Sequence, residues 1–219
     1  CLPGCGEDLM QNQKRNRKGH GWQDSVPPED SCAPVDFTVA LAGNANVGKS
    51  ATINQLTGLD LATGNWPGKT VECAGGILLH NGDRIRIIDL PGIYSFTTYS
   101  AEETVSREYI LSNNPDVVVN IVDAAALERN LFFTLQLMEL NVPLVIAVNQ
   151  TDLAAEKGIF IDTEKLSGLL GVPVIPTVAI HGKGIAALSD AIVATAQNRM
   201  LPHLIPYGKE VEDRSGQVA

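Results

Sequence analysis

Lys49 and Ser50 close the stretch Gly43 to Ser50, GNANVGKS, in which two glycines, a lysine and a hydroxyl stand at the spacing that grips phosphate. The glycines let backbone N–H groups turn inward and approach phosphate oxygens, which a Cβ would obstruct. Lys49 is placed to reach the β and γ phosphates, and the Ser50 hydroxyl to ligate Mg²⁺. The loop's remaining residues, Asn44, Ala45, Asn46 and Val47, with Ala51 just after it, complete the candidate phosphate cradle. An apolar run at 37 to 42 precedes the loop and a helix-like segment follows, the strand, loop and helix setting that phosphate binding needs.

Two later groups extend the site. Asp89-Leu90-Pro91-Gly92 follows an apolar run, where an acidic residue is placed to hold Mg²⁺ through water and the Gly92 N–H to meet a γ-phosphate. Asn149-Gln150-Thr151-Asp152 ends another run. In P-loop GTPases the Asn and Asp of NxxD hold the base. A carboxylate accepting from the guanine N1–H and exocyclic amine rejects adenine, which lacks both donors in that pattern. Gln150 takes the place of the motif's usual lysine, which removes an aliphatic stem from the purine face and implies looser binding with faster exchange. Thr177-Val178-Ala179 occupies the place of the TSA base loop, with Val178 where Ser is common, and its backbone N–H groups are candidates for the guanine oxygen.

These groups need a scaffold that brings strand ends together. The patterning predicts strands over 37–42, 71–80, 83–89, 116–122, 143–149 and 173–177, and helices over 49–57, 101–112, 127–140, 162–170 and 184–198. Asn81-Gly82 is a strong hairpin signal between the second and third runs, so those two strands should be antiparallel. Helices separate the others, which should be parallel. The expected fold is α/β: a mostly parallel, doubly wound six-stranded sheet with one antiparallel edge strand, helices on both faces, and ligands at the carboxyl ends of the strands.

With 219 residues, 44% of them hydrophobic, the chain can bury the core of one such domain and no second large one. A net charge of -9 argues against a broad nucleic-acid or anionic-lipid footprint, and no apolar run approaches the roughly 20 residues that span a bilayer. A soluble chain is expected. Residues 1 to 35 are polar, with a basic patch at Lys14, Arg15, Arg17 and Lys18, and are read as a flexible extension. Cys1, Cys5, His20 and Cys32 lack the close CxxC spacing of a zinc ribbon, and the four cysteines, Cys73 included, suit a reducing cytoplasm. The first residue is Cys rather than Met, so the chain is expected to be processed or cut from something longer.

Together, GNANVGKS, the segment Gly64 to Glu72 (GNWPGKTVE), DLPGIYS from Asp89, and LERNL from Leu127 with the following TLQL closely resemble the GTP-binding domain of the bacterial and archaeal ferrous iron transport protein B family. The resemblance covers about residues 37 to 197 and implies a domain at 36 to 198, with 199 to 219 the start of a helical spacer and the membrane-spanning portion absent. It implies a P-loop GTPase that binds GTP and GDP with Mg²⁺ and serves as the regulatory domain of an Fe²⁺ transporter at the cytoplasmic face of the inner membrane. Thr70 becomes the switch I threonine that closes on Mg²⁺ and the γ-phosphate. Asn46 matches the residue that, in potassium-activated members of the wider GTPase group, ligates K⁺ together with carbonyls from Gly64 to Trp66, where the cation takes the place of an arginine finger. The resemblance therefore makes Asn46, Thr70 and Gly92 the catalytic candidates, Ser50, Thr70 and Asp89 the Mg²⁺ set, and Asn46, Gly64 and Trp66 the K⁺ set.

Ile93 follows Gly92 where a Ras-like enzyme has its water-orienting glutamine, so slow intrinsic hydrolysis is expected. Ala45 replaces a frequent proline, a tolerable exchange of small apolar residues. Trp66 reads equally well as a surface-packed aromatic and as a functional contact. Glu102 and Glu103 suit the first turn of a helix, Leu131, Leu135 and Met138 suit a helical core face, and His80 and His181 show no metal-like spacing. The partners that the resemblance admits are the transporter's own spacer and transmembrane parts, small accessory iron-transport proteins and a second copy of the chain, with no nucleic acid. Competing functions are an RNA-processing or ribosome-assembly GTPase of the Era and TrmE kind, which shares Asn46, and a nucleotide-controlled docking module with negligible hydrolysis.

Overall fold

Apolar runs broken by glycine and asparagine turns fold into one sheet wrapped by helices. The computed structural model describes residues 34–58, 62–66, 71–96 and 100–203. In chain order the elements are β1 (Phe37–Gly43), α1 (Lys49–Thr57), β2 (Ala62–Asn65), β3 (Glu72–His80), β4 (Asp83–Asp89), α2 (Ala101–Asn113), β5 (Val117–Asp123), α3 (Leu127–Glu139), β6 (Leu144–Asn149), α4 (Thr151–Glu156), α5 (Thr163–Leu170), β7 (Val174–Pro176) and α6 (Ile185–Asn198). The strand order is β2-β3-β4-β1-β5-β6-β7, with β1 at the centre and parallel to both neighbours.

The mostly parallel α/β fold is as expected, and all six expected strands are present. A seventh short strand, β2, adds to them and takes the edge position expected of β3. β3 alone runs against the others, pairing antiparallel with β4 and with β2. Its hairpin turns on Asn81 (φ 52°) and Gly82 (φ 93°), both left-handed, which is why an Asn-Gly pair sits there.

Alternation along β1 and β5 divides the core in two. Ala40, Ala42, Val118 and Val122 face one layer, filled by Val105 and Tyr109 of α2 and Phe133 and Leu137 of α3. Val39, Leu41, Val119 and Ile121 face the other, filled by Ile53 and Leu56 of α1 and Leu188 and Ile192 of α6. Strands β5 and β6 are buried almost throughout, which explains their continuous apolar runs.

Two of the helices, α2 and α5, start at capping side chains. The Ser100 hydroxyl accepts from the Glu103 N–H at 3.1 Å and opens α2, and the Asp162 carboxylate accepts from the Lys165 N–H at 2.9 Å and opens α5. Glu102 and Glu103 do lie in the first turn of α2. The buried face of α3 needs a correction: Asn130, Phe133, Thr134, Leu137 and Met138 are buried, whereas Leu135 is exposed and Leu131 only partly covered. The stripe is centred one position earlier than the leucines suggest, because small polar Asn130 and Thr134 fit against β5. Cys1, Cys5, His20 and Cys32, read as part of a polar extension rather than a metal site, lie outside the described residues, as do Thr70 and the tail from residue 204.

Candidate nucleotide-binding site

β1, β4, β6 and β7 all end at one edge of the sheet, and the site residues stand on the turns that follow. The loop after β1 depends on Gly43 (φ 151°) and Gly48 (φ 91°). A Cβ on Gly43 would come 2.5 Å from the Ile121 carbonyl, and one on Gly48 would collide with the Asn149 carboxamide. Asn46, at the exposed tip, holds φ 65°, a conformation that asparagine tolerates better than most residues. Lys49 and Ser50 then open α1, whose first N–H groups and positive dipole end face the cradle. Ala51 is half-buried in the same first turn, and Val47 is packed beneath the loop.

The turn after β4 is laced to this loop. Leu90 N–H donates to Leu41 O at 2.9 Å, and Ile93 N–H donates to Gly43 O at 3.2 Å. A Cβ on Gly92 would stand 3.3 Å from the Ala45 Cα, so glycine allows the two turns to approach. The side chain of Ile93 is buried, so its place in the core accounts for its apolar character. Lys49 Nζ lies 3.5 Å from Asp89 Oδ1, and both side chains are largely covered. Burial pushes the Asp89 carboxyl above its ordinary range, and the Lys49 charge offsets only part of that. At 3.5 Å the pair is an ion pair rather than a good hydrogen bond, and Asp89 Oδ1 makes no hydrogen bond of its own. A buried, under-partnered carboxylate beside a lysine suits a divalent cation held with phosphate. The adjoining cleft, of about 770 Å³, is lined by Lys49, Asp89, Asn65, Glu72 and Glu102 among others.

On the base side one side chain joins three segments. Asn149 Nδ2 donates to Val47 O at 2.9 Å, while its Oδ1 accepts from the Ala179 N–H at 3.0 Å and the Thr177 hydroxyl at 3.2 Å. Gln150 follows with φ 61° and turns the chain into α4, which puts Asp152 on the first turn beside the base loop. A hydrogen bond from the Thr151 hydroxyl to Thr177 O at 3.2 Å fastens the two turns, a contact that the motif spacing did not reveal. Val178 is buried and its N–H donates to Lys183 O at 3.0 Å. The Ala179 N–H, a candidate for the guanine oxygen, is engaged by Asn149 in this conformation.

The described phosphate and base candidates, with Ser50 and Asp89, thus stand at one strand-end edge, while Thr70 lies outside the described residues. The Gly64 and Trp66 pair is placed differently. Gly64 is paired in edge strand β2, and the Trp66 side chain is buried edge-on against Tyr109 of α2, with ring centroids 5.3 Å apart at 67°. That settles Trp66's side chain as core. Among the described residues, no cluster of three or more His, Cys, Asp or Glu side chains is set to hold a metal, and His80 pairs with Asp190 at 2.7 Å.

Residues 37–192 match the family of ferrous iron transport protein B. The chain belongs to that family. It is 41% identical over 187 residues to the Fe(2+) transporter FeoB of Escherichia coli strain K12, covering 84% of this chain and 24% of the relative. Against the Fe(2+) transporter FeoB of Salmonella typhimurium it is 45% identical over 160 residues, covering 71% and 21%. The chain spans about a quarter of the length of the curated relatives it matches. Among solved structures, it is 46% identical to the FeoB G-domain from Methanococcus jannaschii with a TM-score of 0.66, covering 74% of this chain and 97% of that one. It is 40% identical to a GDP-bound mutant of S. thermophilus NFeoB with a TM-score of 0.78, covering 83% and 70%. The FeoB fold, a P-loop GTPase fold, therefore extends over the whole described sheet.

Among the described residues, no helix is long and apolar enough to cross a membrane.

Proposed function

We propose that this chain binds GTP and GDP with Mg²⁺, hydrolyses GTP slowly, and serves as the cytosolic switching domain of a ferrous iron transporter. The observation that carries the reading is the Asn149 carboxamide, which ties the phosphate loop at Val47 to the base loop at Thr177 and Ala179. A site built this way reads base and phosphates as one ligand. Asp152 supplies the carboxylate that selects guanine over adenine. Lys49 and the backbone N–H groups at the start of α1 orient the phosphates and neutralise their charge.

Ser50, Asp89 and Thr70 would hold Mg²⁺, and the desolvated Asp89 carboxyl supports that assignment. When bound, the cation would supply charge stabilisation at the phosphates that these side chains alone cannot. Asn46, exposed at the loop tip, and the carbonyls of Gly64 and Trp66 would hold K⁺. Buried Ile93 cannot orient the attacking water, so hydrolysis is slow without an assisting cation. In this reading Thr70 would close over the γ-phosphate, which would make GTP and GDP distinguishable to the transporter's spacer and membrane-spanning parts. Domain limits of 36 to 198, with the spacer beginning at 199, fit this division of labour. Residence at the cytoplasmic face of the inner membrane, accessory iron-transport proteins and self-association belong to the same reading.

The test is a titration with fluorescent guanine and adenine nucleotides in Mg²⁺, followed by single-turnover phosphate release. Micromolar guanine binding, at least about a hundredfold weaker adenine binding, and slow GTP turnover are expected, since a site built around base donors discriminates strongly. Equal affinity for ATP and GTP would overturn the reading.

A further inference from the structure

One residue of the phosphate loop has no role in the reading above. Asn44 is 2% exposed, yet among the described residues neither its Nδ2 nor its Oδ1 has a hydrogen-bond partner. A buried carboxamide left this way costs free energy, and it persists where another state of the molecule uses it. Asn44 directly follows Gly43, the last residue of β1, and the preceding Ala40 and Ala42 face the layer covered by α2 and α3.

Two further carboxamides lie in that layer. Asn120 of β5 is opposite Ala42 in the register, and Ala42 lies two residues before Asn44 in the chain. Its Nδ2 donates to the Thr134 hydroxyl of α3 at 2.7 Å, and that hydroxyl donates to Asn130 O at 3.2 Å. Asn130 Nδ2 donates to Ala126 O at 2.7 Å. The network is connected and buried, but among the described residues Asn120 Oδ1 and Asn130 Oδ1 both lack a donor. Asn44 Nδ2 carries two N–H groups without an acceptor, so donors and acceptors match.

α3 also holds the segment that follows Gly92. Gln136 Oε1 accepts from the Phe96 N–H at 2.9 Å, and the Phe133 ring packs edge-on against Phe96 with centroids 5.1 Å apart. The same helix therefore carries the carboxamide network on one turn and the grip on Phe96 on the next.

We infer that Asn44 is a positioning residue which, when nucleotide fills the phosphate loop, donates to Asn120 and Asn130 and so couples that loop through α3 to the segment from Gly92 to Phe96. The inference rests on the nucleotide reading above. In the empty domain the Asn44 carboxamide is a cost. In the loaded domain it is a contact, so it adds to nucleotide affinity without touching the ligand.

The test is a double-mutant cycle in the full chain with Asn44→Ala, Asn130→Ala and the pair, reading fluorescent GDP dissociation and melting temperature with and without nucleotide. Asn44→Leu fills the volume and guards against a cavity effect. Wild-type binding establishes the nucleotide reading separately: if the wild type binds no guanine nucleotide, that reading fails and this inference with it. Given wild-type binding, Asn44→Ala and Asn44→Leu should speed dissociation about tenfold, the empty Asn44→Leu domain should melt no lower than wild type, and Asn130→Ala added to Asn44→Ala should change little more. Asn44→Ala combined with Glu103→Ala, on α2, should be additive. Unchanged dissociation in both Asn44 variants, additivity with Asn130→Ala, or a crystal structure in which water satisfies Asn44 equally with and without nucleotide would overturn it.

Discussion

Lys49 and Asp89 face each other across 3.5 Å at the floor of the cleft, with the lysine only partly offsetting the burial of the carboxylate. Because the folded Asp89 carboxyl binds its proton more tightly than the ordinary value of 3.8, the native state carries more protons than the unfolded one in that interval. The stability that Asp89 contributes is therefore present at low pH and lost as pH rises through its raised folded value. In the empty domain, Asp89→Asn should leave the melting temperature at pH 7 unchanged or higher and flatten this part of its pH dependence, while abolishing the Mg²⁺ dependence of nucleotide affinity. Calorimetry between pH 4 and 7 checks the first, and nucleotide titration with and without EDTA checks the second.

Truncating Asn149 leaves a buried carbonyl at Val47 and a buried N–H at Ala179 without partners. At about 1 to 3 kcal/mol for each group, Asn149→Ala should cost roughly 3 kcal/mol and lower the melting temperature by about 6 to 12 °C. Urea denaturation gives the stability change, and loss of guanine selectivity should accompany it.

A methyl group at Gly48 collides with the Asn149 carboxamide and sits on a left-handed residue. Gly48→Ala should therefore disturb base and phosphate binding together, lowering GDP affinity more than a hundredfold, while circular dichroism keeps its α/β signature. Retained affinity would show that the loop can be rebuilt around a side chain.

Potassium should speed single-turnover hydrolysis at least tenfold over sodium, and Asn46→Ala should erase the difference while leaving GDP affinity within about threefold, since a charge placed at the transferring phosphate acts mainly on the transition state. Equal rates in the two salts count against a cation at Asn46.

Trp66 serves packing through its side chain, with 3% exposure and an edge contact on Tyr109. Trp66→Ala should cost about 3 to 5 kcal/mol, and Trp66→Phe clearly less. If the carbonyl is what K⁺ uses, Trp66→Phe keeps the potassium response, measured by the same turnover assay.

Much of this site could be read from residue types because its parts are local. α1 and β4 have the expected bounds, since Gly48 and Gly58 punctuate one and the Asn-Gly turn opens the other. The resemblance carried the family for the same reason: short motifs whose backbone demands leave few alternatives. What escaped depends on tertiary placement. β2 is four small or polar residues whose pairing with β3 is a matter of backbone register rather than of side-chain pattern. α4 spans six residues, too short for helical periodicity, and begins at a left-handed Gln150. The burial of Asn44 has no signature in sequence, because a polar residue within a glycine-rich loop looks solvated until the surrounding fold is in place.

The sheet is closed at both margins by little material: β2 has four residues, and β7 has three and ends in Pro176. Few backbone donors are left in line for a foreign strand, and proline offers none. The seven-stranded sheet, with its continuous valine and isoleucine runs, is thereby shielded from strand addition by a second copy, so the domain should stay dispersed at high concentration, and any self-association should use helix faces rather than sheet edges.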